Sequence, residues 1–223
     1  MLKAVLFDLD GTLLDTAADF TRVLNSLLSE HGLPLQHYDA VRHRVSDGAR
    51  AVVNLGFSLT PEHPDFDGLL NAFLDRYEQA LSEQTSLFPG MDEQLQALEA
   101  RDIAWGIVTN KPERFTTPLL EQLGLTERCA TAICPDHVRE RKPAAEPILL
   151  ACAQLGIRAD EAVYVGDHRR DIEAGQNAQM PTIACRYGYV SEGETPEDWN
   201  PDRIIDTPQG LLAALRDLQL LED

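Results

Sequence analysis

The chain has 223 residues, 43% of them hydrophobic, and is long enough for one sizeable core or for a core with a small second domain. Its 37 acidic and 19 basic residues give a formal net charge of -18, which disfavours nucleic acid and anionic lipid as partners. The four cysteines have no CxxC spacing and the six histidines no HxH or HExxH spacing, so we expect free thiols, a cytoplasmic location and no zinc site.

The first predicted element is a short strand that ends in two carboxylates. Ala4–Phe7 is an apolar run typical of a strand buried on both faces of a parallel sheet, and Asp8 and Asp10 follow it. Residues two apart on an extended segment point to the same side, so both carboxylates should project from the carboxyl end of the strand. Two like charges at such a short distance repel each other, which is costly unless a cation lies between them. We expect no signal peptide before this strand, and no apolar run approaches the ~20 residues that span a bilayer.

Helical periodicity without strands occupies residues 15–85, which we call the cap segment. Its predicted helices span 15–34, then 39–57 with a break near Ser46-Asp47-Gly48, and finally 69–81. Because α/β patterns flank this segment on both sides, we predict an inserted all-helical cap domain. The connections near Leu14-Asp15 and Ser86 to Phe88 are the predicted hinges of cap closure.

From residue 86 onward, predicted strands alternate with predicted helices. This alternation indicates a Rossmann-like, doubly wound parallel sheet, formed by residues 1–14 and 86–223 in an α/β fold. The predicted strands are 103–110, 131–134, 161–165, 182–185 and 203–205. The predicted helices are 92–101, 112–123, one from about 143 to 155, 171–178 and 210–221.

Polar side chains follow several of these strands, where the carboxyl ends of parallel strands meet at one edge of the sheet. They supply carboxylates, a hydroxyl, an amide and one ammonium group. The residues at this edge are Asp8, Asp10, Thr109, Asn110, Lys142, Asp167 and Asp171. Hard oxygen ligands that leave room for water suit Mg²⁺.

Four segments resemble, in order, the motifs of the haloacid-dehalogenase-like phosphohydrolase superfamily. They are FDLDGT at 7–12, VTN at 108–110, KP at 142–143 and GDHRRD at 166–171. The resemblance covers nearly the whole chain, and the cap segment resembles that family's helical cap. Within the family the chain is most similar to the phosphoglycolate phosphatase-like branch, and the stretch around Gly48 also resembles N-acetylmuramic acid 6-phosphate phosphatases.

The resemblance implies a magnesium-dependent phosphomonoester hydrolase that acts through an aspartyl-phosphate. Asp8 would be the nucleophile, which splits one difficult displacement into two easier ones. Asp10 would protonate the leaving oxygen and then take a proton from water. Lys142 would neutralise charge that develops during transfer.

The same resemblance implies the binding residues. Asp8, the carbonyl of Asp10 and Asp167 would bind Mg²⁺, with Asp171 as a further ligand or as a support for one. Thr109 and Lys142 would hold the phosphoryl oxygens, with Asn110 beside them. The partner is then a small phosphate ester, and the protein a monomer or a weak homodimer.

Several other functions compete with this interpretation. Related dehalogenases lack an aspartate at the position of Asp10, and a phosphonate-cleaving relative needs a cap lysine, whereas residues 15–83 contain none. A receiver domain would leave the cap segment unexplained, and a phospho-ligand-binding protein without turnover would not need both Asp8 and Asp10. A sugar phosphomutase of the same superfamily stays open, because it uses the same core residues.

Arginines in the cap segment are the candidates for choosing the substrate. Arg42, Arg44 and Arg50 lie within nine residues, around Gly48. The glycine permits close approach to a ligand, and an arginine grips a carboxylate with two parallel hydrogen bonds. We predict that Arg50 binds an anionic or hydroxyl-rich part of the leaving group, and the alternative is an exposed basic turn. Phosphoglycolate and N-acetylmuramic acid 6-phosphate both carry a carboxylate, and both stay open as candidate substrates.

Overall fold

The computed structural model describes residues 2–221 and has a six-stranded parallel sheet at its centre. In chain order, the strands of the described residues are β1 (Ala4–Phe7), β2 (Leu14–Asp15), β3 (Ser86–Leu87), β4 (Ala104–Val108), β5 (Ala132–Ile133), β6 (Ala162–Gly166), β7 (Thr182–Cys185) and β8 (Arg203–Ile205). The sheet has the order β5-β4-β1-β6-β7-β8, and each neighbouring pair is parallel. The predicted α/β class and parallel sheet are therefore confirmed.

Helices cover both faces of this sheet. Those of the described residues are α1 (Ala17–Glu30), α2 (Tyr38–Val45), α3 (Ala49–Phe57), α4 (Phe66–Glu78), α5 (Met91–Glu99), α6 (Glu113–Gln122), α7 (Glu146–Leu155), α8 (Arg169–Asn177) and α9 (Leu211–Asp217). The first four lie in the cap segment. None of these helices has the length and apolar character that a membrane span needs.

Alternate side chains of β1 enter two separate hydrophobic clusters. Val5 and Phe7 pack with residues of α5, α6 and α9, whereas Ala4 and Leu6 pack with residues of α7 and α8. Each fully buried Val, Leu or Phe contributes about 1.5–3 kcal/mol. This burial on both faces is why an unbroken apolar run, and no alternating pattern, marks the central strand.

The ends of several elements differ from the prediction. The helix predicted at 69–81 runs from Phe66 to Glu78, and the strand predicted at 131–134 spans Ala132–Ile133. The helix predicted to start at about 143 begins at Glu146, after a turn. The last helix stops at Asp217, well before 221, because Gln219 has a left-handed backbone conformation with φ of 58°.

An antiparallel ribbon of two short strands was not predicted. β2 pairs with β3 through Leu14 with Leu87 and Asp15 with Ser86, at the two connections between the cap segment and the sheet. Strands of two residues are too short for a periodic signal. The ribbon lies where the hinges were predicted, and hinge motion and the boundary at 14/15 and 85/86 stay predictions.

The strand order reverses direction around β1, which lies between β4 and β6. Crevices at the carboxyl ends of strands on either side of such a reversal are where open α/β sheets bind ligands. Asp8, Thr109 and Asp167 are the residues that directly follow β1, β4 and β6. The topology therefore brings them to one crevice.

Candidate active site

Asp8 follows β1 and is almost completely buried. Its Oδ1 accepts a hydrogen bond from the Leu9 backbone N–H at 2.7 Å and lies 2.9 Å from Lys142 Nζ. Burial raises the pKa of the Asp8 carboxyl, but the charge and hydrogen bond of Lys142 outweigh this and hold the pKa below its usual value. Within residues 2–221, no hydrogen bond to Oδ2 is found. Asp8 is thus kept ionised with one oxygen free to react.

Three buried carboxylates converge beside this residue. One oxygen each of Asp8, Asp167 and Asp171 lies within 4.8 Å of the others. Burial, followed by the charges of Asp171 and Asp8, raises the pKa of Asp167 to about 7. Burial and the Asp8 charge also raise the pKa of Asp171, although Lys142 offsets part of this. An all-oxygen cluster with unbalanced negative charge fits a hard divalent cation such as Mg²⁺.

Backbone and side-chain donors hold Asp167 in position. Its Oδ1 accepts from Thr12 Oγ1 at 2.8 Å, and its Oδ2 accepts from the Tyr189 N–H at 2.7 Å. Gly11, with φ of 86°, lies so close that a Cβ there would be 2.2 Å from Asp167 Oδ2. A glycine after Asp10 is therefore required both for the backbone conformation and for this approach.

Lys142 is a fully buried cation that joins two of the carboxylates. Its Nζ lies 2.8 Å from Asp171 Oδ1 as well as 2.9 Å from Asp8, and it donates to Tyr164 Oη at 2.7 Å. Tyr164 in turn donates to the Val108 carbonyl at 2.6 Å. These bonds fix the ammonium group beside Asp8, in contrast to the usual solvated lysine of a loop.

Thr109 and Asn110 follow β4 and line the same crevice. Thr109 Oγ1 accepts from the Lys111 N–H at 3.1 Å, and Asn110 Nδ2 donates to the Lys142 carbonyl at 3.0 Å. The buried Asn110 Oδ1 has no hydrogen-bond partner within the described chain. The residues after β4 thus present polar atoms on the cavity wall that Asp8 also lines.

Asp10 lies apart from the three-carboxylate cluster. Its Oδ1 accepts from Thr16 Oγ1 at 2.7 Å and from Lys111 Nζ at 3.0 Å, and Lys111 also donates to Tyr77 Oη at 2.8 Å. Burial raises the pKa of Tyr77 to about 12. Burial lowers the pKa of Lys111, but Asp10 and Tyr77 raise it by a larger amount, so the net shift is upward and the ammonium keeps its proton. The prediction of Asp10 as a metal ligand concerned its backbone carbonyl, and its carboxylate belongs to this second network.

A cavity of about 570 Å³ lies between the cap segment and the sheet edge. Asp8, Asp10, Thr109 and Asn110 line its core side, and Gly48 and Arg50 line its cap side. The Arg50 side chain is 60% exposed, 3.7 Å from Asp67 Oδ1, with its guanidinium 5.8 Å from the centre of the Phe66 ring. Arg50 therefore lies on the cavity wall, and its role in binding stays a prediction.

The cap loop at 46–48 also touches the core directly. Ser46 Oγ lies 3.4 Å from Asp167 Oδ2, and Arg170 donates to the Ser46 carbonyl. Asp47 Oδ1 lies 3.7 Å from His168 Nε2. This loop therefore closes over the carboxylate cluster.

Sequence reasoning missed several residues of this site. The sequence patterns single out neither Lys111 nor Tyr77, which are joined to each other beside Asp10. Arg170 and Arg141 line the cavity from the core and were not singled out. One signal was available for Lys111, because the chain has only three lysines and this one follows Asn110 directly.

Comparison with known proteins gives consistent matches. The family model of haloacid dehalogenase-like hydrolases matches residues 5–185. N-acetylmuramic acid 6-phosphate phosphatases of Pseudomonas putida and Pseudomonas aeruginosa are 46% and 45% identical, over 93% and 96% of this chain and 93% and 95% of theirs. A phosphoglycolate phosphatase of Xanthomonas campestris pv. campestris is 43% identical over 94% of both chains. The crystal structure of a predicted phosphoglycolate phosphatase from Haemophilus somnus superposes with a TM-score of 0.83, at 26% identity, over 95% of this chain and 97% of that one.

Proposed function

The chain belongs to the haloacid dehalogenase-like hydrolases and is a phosphatase, and on this premise we propose that it hydrolyses the 6-phosphate of a sugar acid, with N-acetylmuramic acid 6-phosphate as the first candidate. The observation that carries the proposal is the cavity above Asp8. Its volume of about 570 Å³ lies within the range of about 300–1,000 Å³ that is typical of small-molecule pockets in proteins. The two-carbon leaving group of phosphoglycolate would fill a small part of it.

Asp8 carries the first half of the proposed reaction. Its Oδ2 attacks phosphorus, the bond from phosphorus to the ester oxygen breaks, and Asp10 gives that oxygen a proton. The products are the free sugar acid and an aspartyl-phosphate on Asp8. Support for these roles comes from the free Oδ2 of Asp8 and from the place of both residues on the cavity wall.

Water completes the proposed cycle. Asp10, now ionised, takes a proton from a water molecule whose oxygen attacks the phosphorus of the aspartyl-phosphate. The acyl phosphate bond breaks, inorganic phosphate leaves and the Asp8 carboxylate is restored. Thr16 and Lys111, which both donate to Asp10 Oδ1, support its orientation in this step.

Asp8, Asp167 and Asp171 are the proposed side-chain ligands of Mg²⁺, together with the carbonyl of Asp10. When bound, the ion would neutralise negative charge on the phosphoryl oxygens as transfer proceeds. Lys142 supplies a second positive charge at the same place, since its Nζ is 2.9 Å from Asp8. Thr109 and Asn110 are the proposed neutral donors to the phosphoryl oxygens.

Positive side chains on the cavity wall are the proposed ligands of the substrate's carboxylate. Arg50 extends from the cap side and Arg114, Arg141 and Arg170 from the core side. The ion pair of Arg50 with Asp67 is exposed, and exposed pairs contribute only about 0–1 kcal/mol. A substrate carboxylate in a closed cavity can therefore replace Asp67 as its partner.

Phosphoglycolate is the second candidate substrate, because relatives named phosphoglycolate phosphatase are similar to this chain at up to 43% identity. Measurements of kcat/KM on three compounds in the presence of Mg²⁺ distinguish the two candidate substrates. The three substrates are N-acetylmuramic acid 6-phosphate, N-acetylglucosamine 6-phosphate, which lacks the lactyl carboxylate, and 2-phosphoglycolate. We expect the first to be hydrolysed best. A preference for phosphoglycolate would reverse the choice, and absence of phosphate release from all three would contradict both.

We further propose a cytoplasmic location and a monomer or weak homodimer. All four cysteines are free, and a reducing compartment maintains that state. The net charge of -18 argues against binding to nucleic acid or to anionic membranes. Size-exclusion chromatography with light scattering at several protein concentrations measures the oligomeric state.

A further inference from the structure

Lys111 is a buried lysine whose ammonium group has three polar contacts. Nζ lies 3.0 Å from Asp10 Oδ1, 3.3 Å from Asp10 Oδ2 and 2.8 Å from Tyr77 Oη. It also lies 4.6 Å from the centre of the Tyr77 ring and 5.1 Å from that of Phe20. A buried ammonium is costly unless it is paired and hydrogen-bonded, so these partners fix its position tightly.

The contacts of Lys111 connect the two parts of the molecule. Asp10 follows the central strand β1, whereas Tyr77 lies on α4 in the cap segment. Tyr77 is itself buried, with ring centres 4.4 Å from Phe20 and 5.6 Å from Phe115. The position of the ammonium group thus depends on the packing of α4 against the core.

The two oxygens of Asp10 are in different environments. Oδ1 accepts hydrogen bonds from both Thr16 and Lys111, at 2.7 and 3.0 Å, whereas Oδ2, among residues 2–221, has only the longer 3.3 Å hydrogen bond from Lys111. Oδ1 is therefore the anchored atom. Oδ2 is the oxygen that is available to give a proton to a leaving group and to take one from water.

We propose that Lys111, held by Tyr77, is a positioning residue that anchors Asp10 through Oδ1 and leaves Oδ2 to exchange the proton, so that acid–base catalysis depends on the docking of α4. This proposal rests on the proposed role of Asp10 and adds to it a residue on each side of the cavity. Lys111 acts on the protonation of the leaving oxygen and does not bind the phosphoryl group. Its loss should matter most for leaving groups that need a proton.

The test uses two generic esters that are independent of the natural substrate. Phenyl phosphate has a poor leaving group and 4-nitrophenyl phosphate a good one. For each we would measure kcat and KM with saturating Mg²⁺ in the wild type, Lys111→Met, Tyr77→Phe and, as a matched control, Lys3→Met. Lys3 is a half-exposed surface lysine that pairs with Glu161 at 3.0 Å, and it lies before β1, at the opposite end of that strand from Asp8.

Lys111→Met should lower kcat/KM for phenyl phosphate by about 100-fold, the lower range for loss of general acid–base catalysis. For 4-nitrophenyl phosphate the loss should stay below about fivefold, because this leaving group needs little protonation. Tyr77→Phe should show the same selectivity with a loss of about tenfold, as expected for one hydrogen bond to a charged group. Lys3→Met should match the wild type, and inhibition by inorganic phosphate should be unchanged in every variant.

Equal losses for the two esters in Tyr77→Phe and Lys111→Met would overturn the proposal, and weaker inhibition by phosphate would instead make Lys111 a phosphoryl-binding residue. If Lys111→Met does not fold, Tyr77→Phe decides alone, since it removes only a hydroxyl group. Asp10→Asn separates this inference from the proposed function. If Asp10→Asn affects both esters equally, the acid–base role of Asp10 itself is wrong. If it is selective and the other two variants are not, only the positioning role is wrong.

Discussion

The core side and the cap side of the cavity are built in opposite ways. On the core side, Asp8, Lys142 and Asp171 are buried and joined by contacts of 2.8 and 2.9 Å. On the cap side, Arg50 is 60% exposed and pairs with Asp67 at 3.7 Å, and a Cβ at Gly48 would meet no atom of the described residues within 4 Å. The core side is thus fixed before substrate arrives, whereas the cap side has side chains that can change partners.

This difference predicts which substitutions affect all substrates and which affect only some. Breaking a buried ion pair costs about 3–5 kcal/mol, whereas an exposed pair is worth about 0–1 kcal/mol. Changes to the buried Asp8, Lys142 or Asp171 should therefore reduce turnover of every phosphate ester. Changes to the exposed Arg50 should reduce it only for substrates with a group that this arginine can hold.

The largest effect is expected for Asp8→Asn. The substitution keeps the size of the side chain but removes the attacking carboxylate, so kcat should fall by at least about 10,000-fold on natural and generic esters alike. Thermal unfolding should show that the fold survives. Asp102→Asn, in an exposed turn with φ of 56°, is the matched control and should keep full activity. Substantial turnover by Asp8→Asn would mean that another group is the nucleophile.

Removal of divalent metal should have the next largest effect. A metal ion supplies several kcal/mol of transition-state stabilisation, so turnover in excess chelator should fall by about 1,000-fold or more and return with Mg²⁺. Mg²⁺ should also raise the melting temperature, because it offsets repulsion within the cluster of Asp8, Asp167 and Asp171. Asp167→Asn should weaken that shift. Full activity in chelator would contradict the proposed metal site.

Arg50→Ala should have an intermediate effect, confined to one class of substrate. An arginine–carboxylate contact in a closed cavity is worth roughly 1.5–3 kcal/mol, so kcat/KM for N-acetylmuramic acid 6-phosphate should fall by about 10- to 100-fold. Turnover of 4-nitrophenyl phosphate should scarcely change. Arg44→Ala is the control, since Arg44 is exposed and 4.0 Å from Asp47. Equal losses on both esters would make Arg50 structural, and no loss on either would make it a solvated surface charge.

Arg42→Ala should have the smallest effect, on the docking of the cap segment. The Arg42 guanidinium donates to the Tyr187 carbonyl at 2.5 Å and lies 5.0 Å from the centre of the Tyr189 ring, so it joins α2 to the core. We expect KM for the sugar phosphate to rise by about three- to tenfold, as for one partly exposed cation–π contact and hydrogen bond. Arg76→Ala is the control, because Arg76 pairs with Glu30 inside the cap segment. An equal rise of KM in Arg76→Ala would indicate that the whole cap segment is loosened, and that the effect is not specific to Arg42.

Much of the fold follows from local sequence patterns. The apolar run Ala4–Phe7 marks a strand buried on two faces, and helix periodicity marks α1 with its buried Phe20, Val23 and Leu24. Strand ends could be placed at one sheet edge because parallel strands all point the same way. That rule predicts, without any knowledge of side-chain contacts, that Asp8, Thr109 and Asp167 lie at the same edge of the sheet.

Tertiary structure decided which side chains meet at that edge. Thr12 bonds to Asp167 across 155 positions, and Lys111 bonds to Asp10 across 101 and to Tyr77 across 34. The backbone direction of a strand is encoded by its own few residues, so the sequence by itself determines the sheet edge and the type of chemistry there. A hydrogen bond between distant residues depends on the packed positions of both elements, and no local pattern carries that information. The pairing of Lys111 with Asp10 and Tyr77, the ribbon of β2 and β3 and the partner of Arg50 are therefore properties of the folded chain alone.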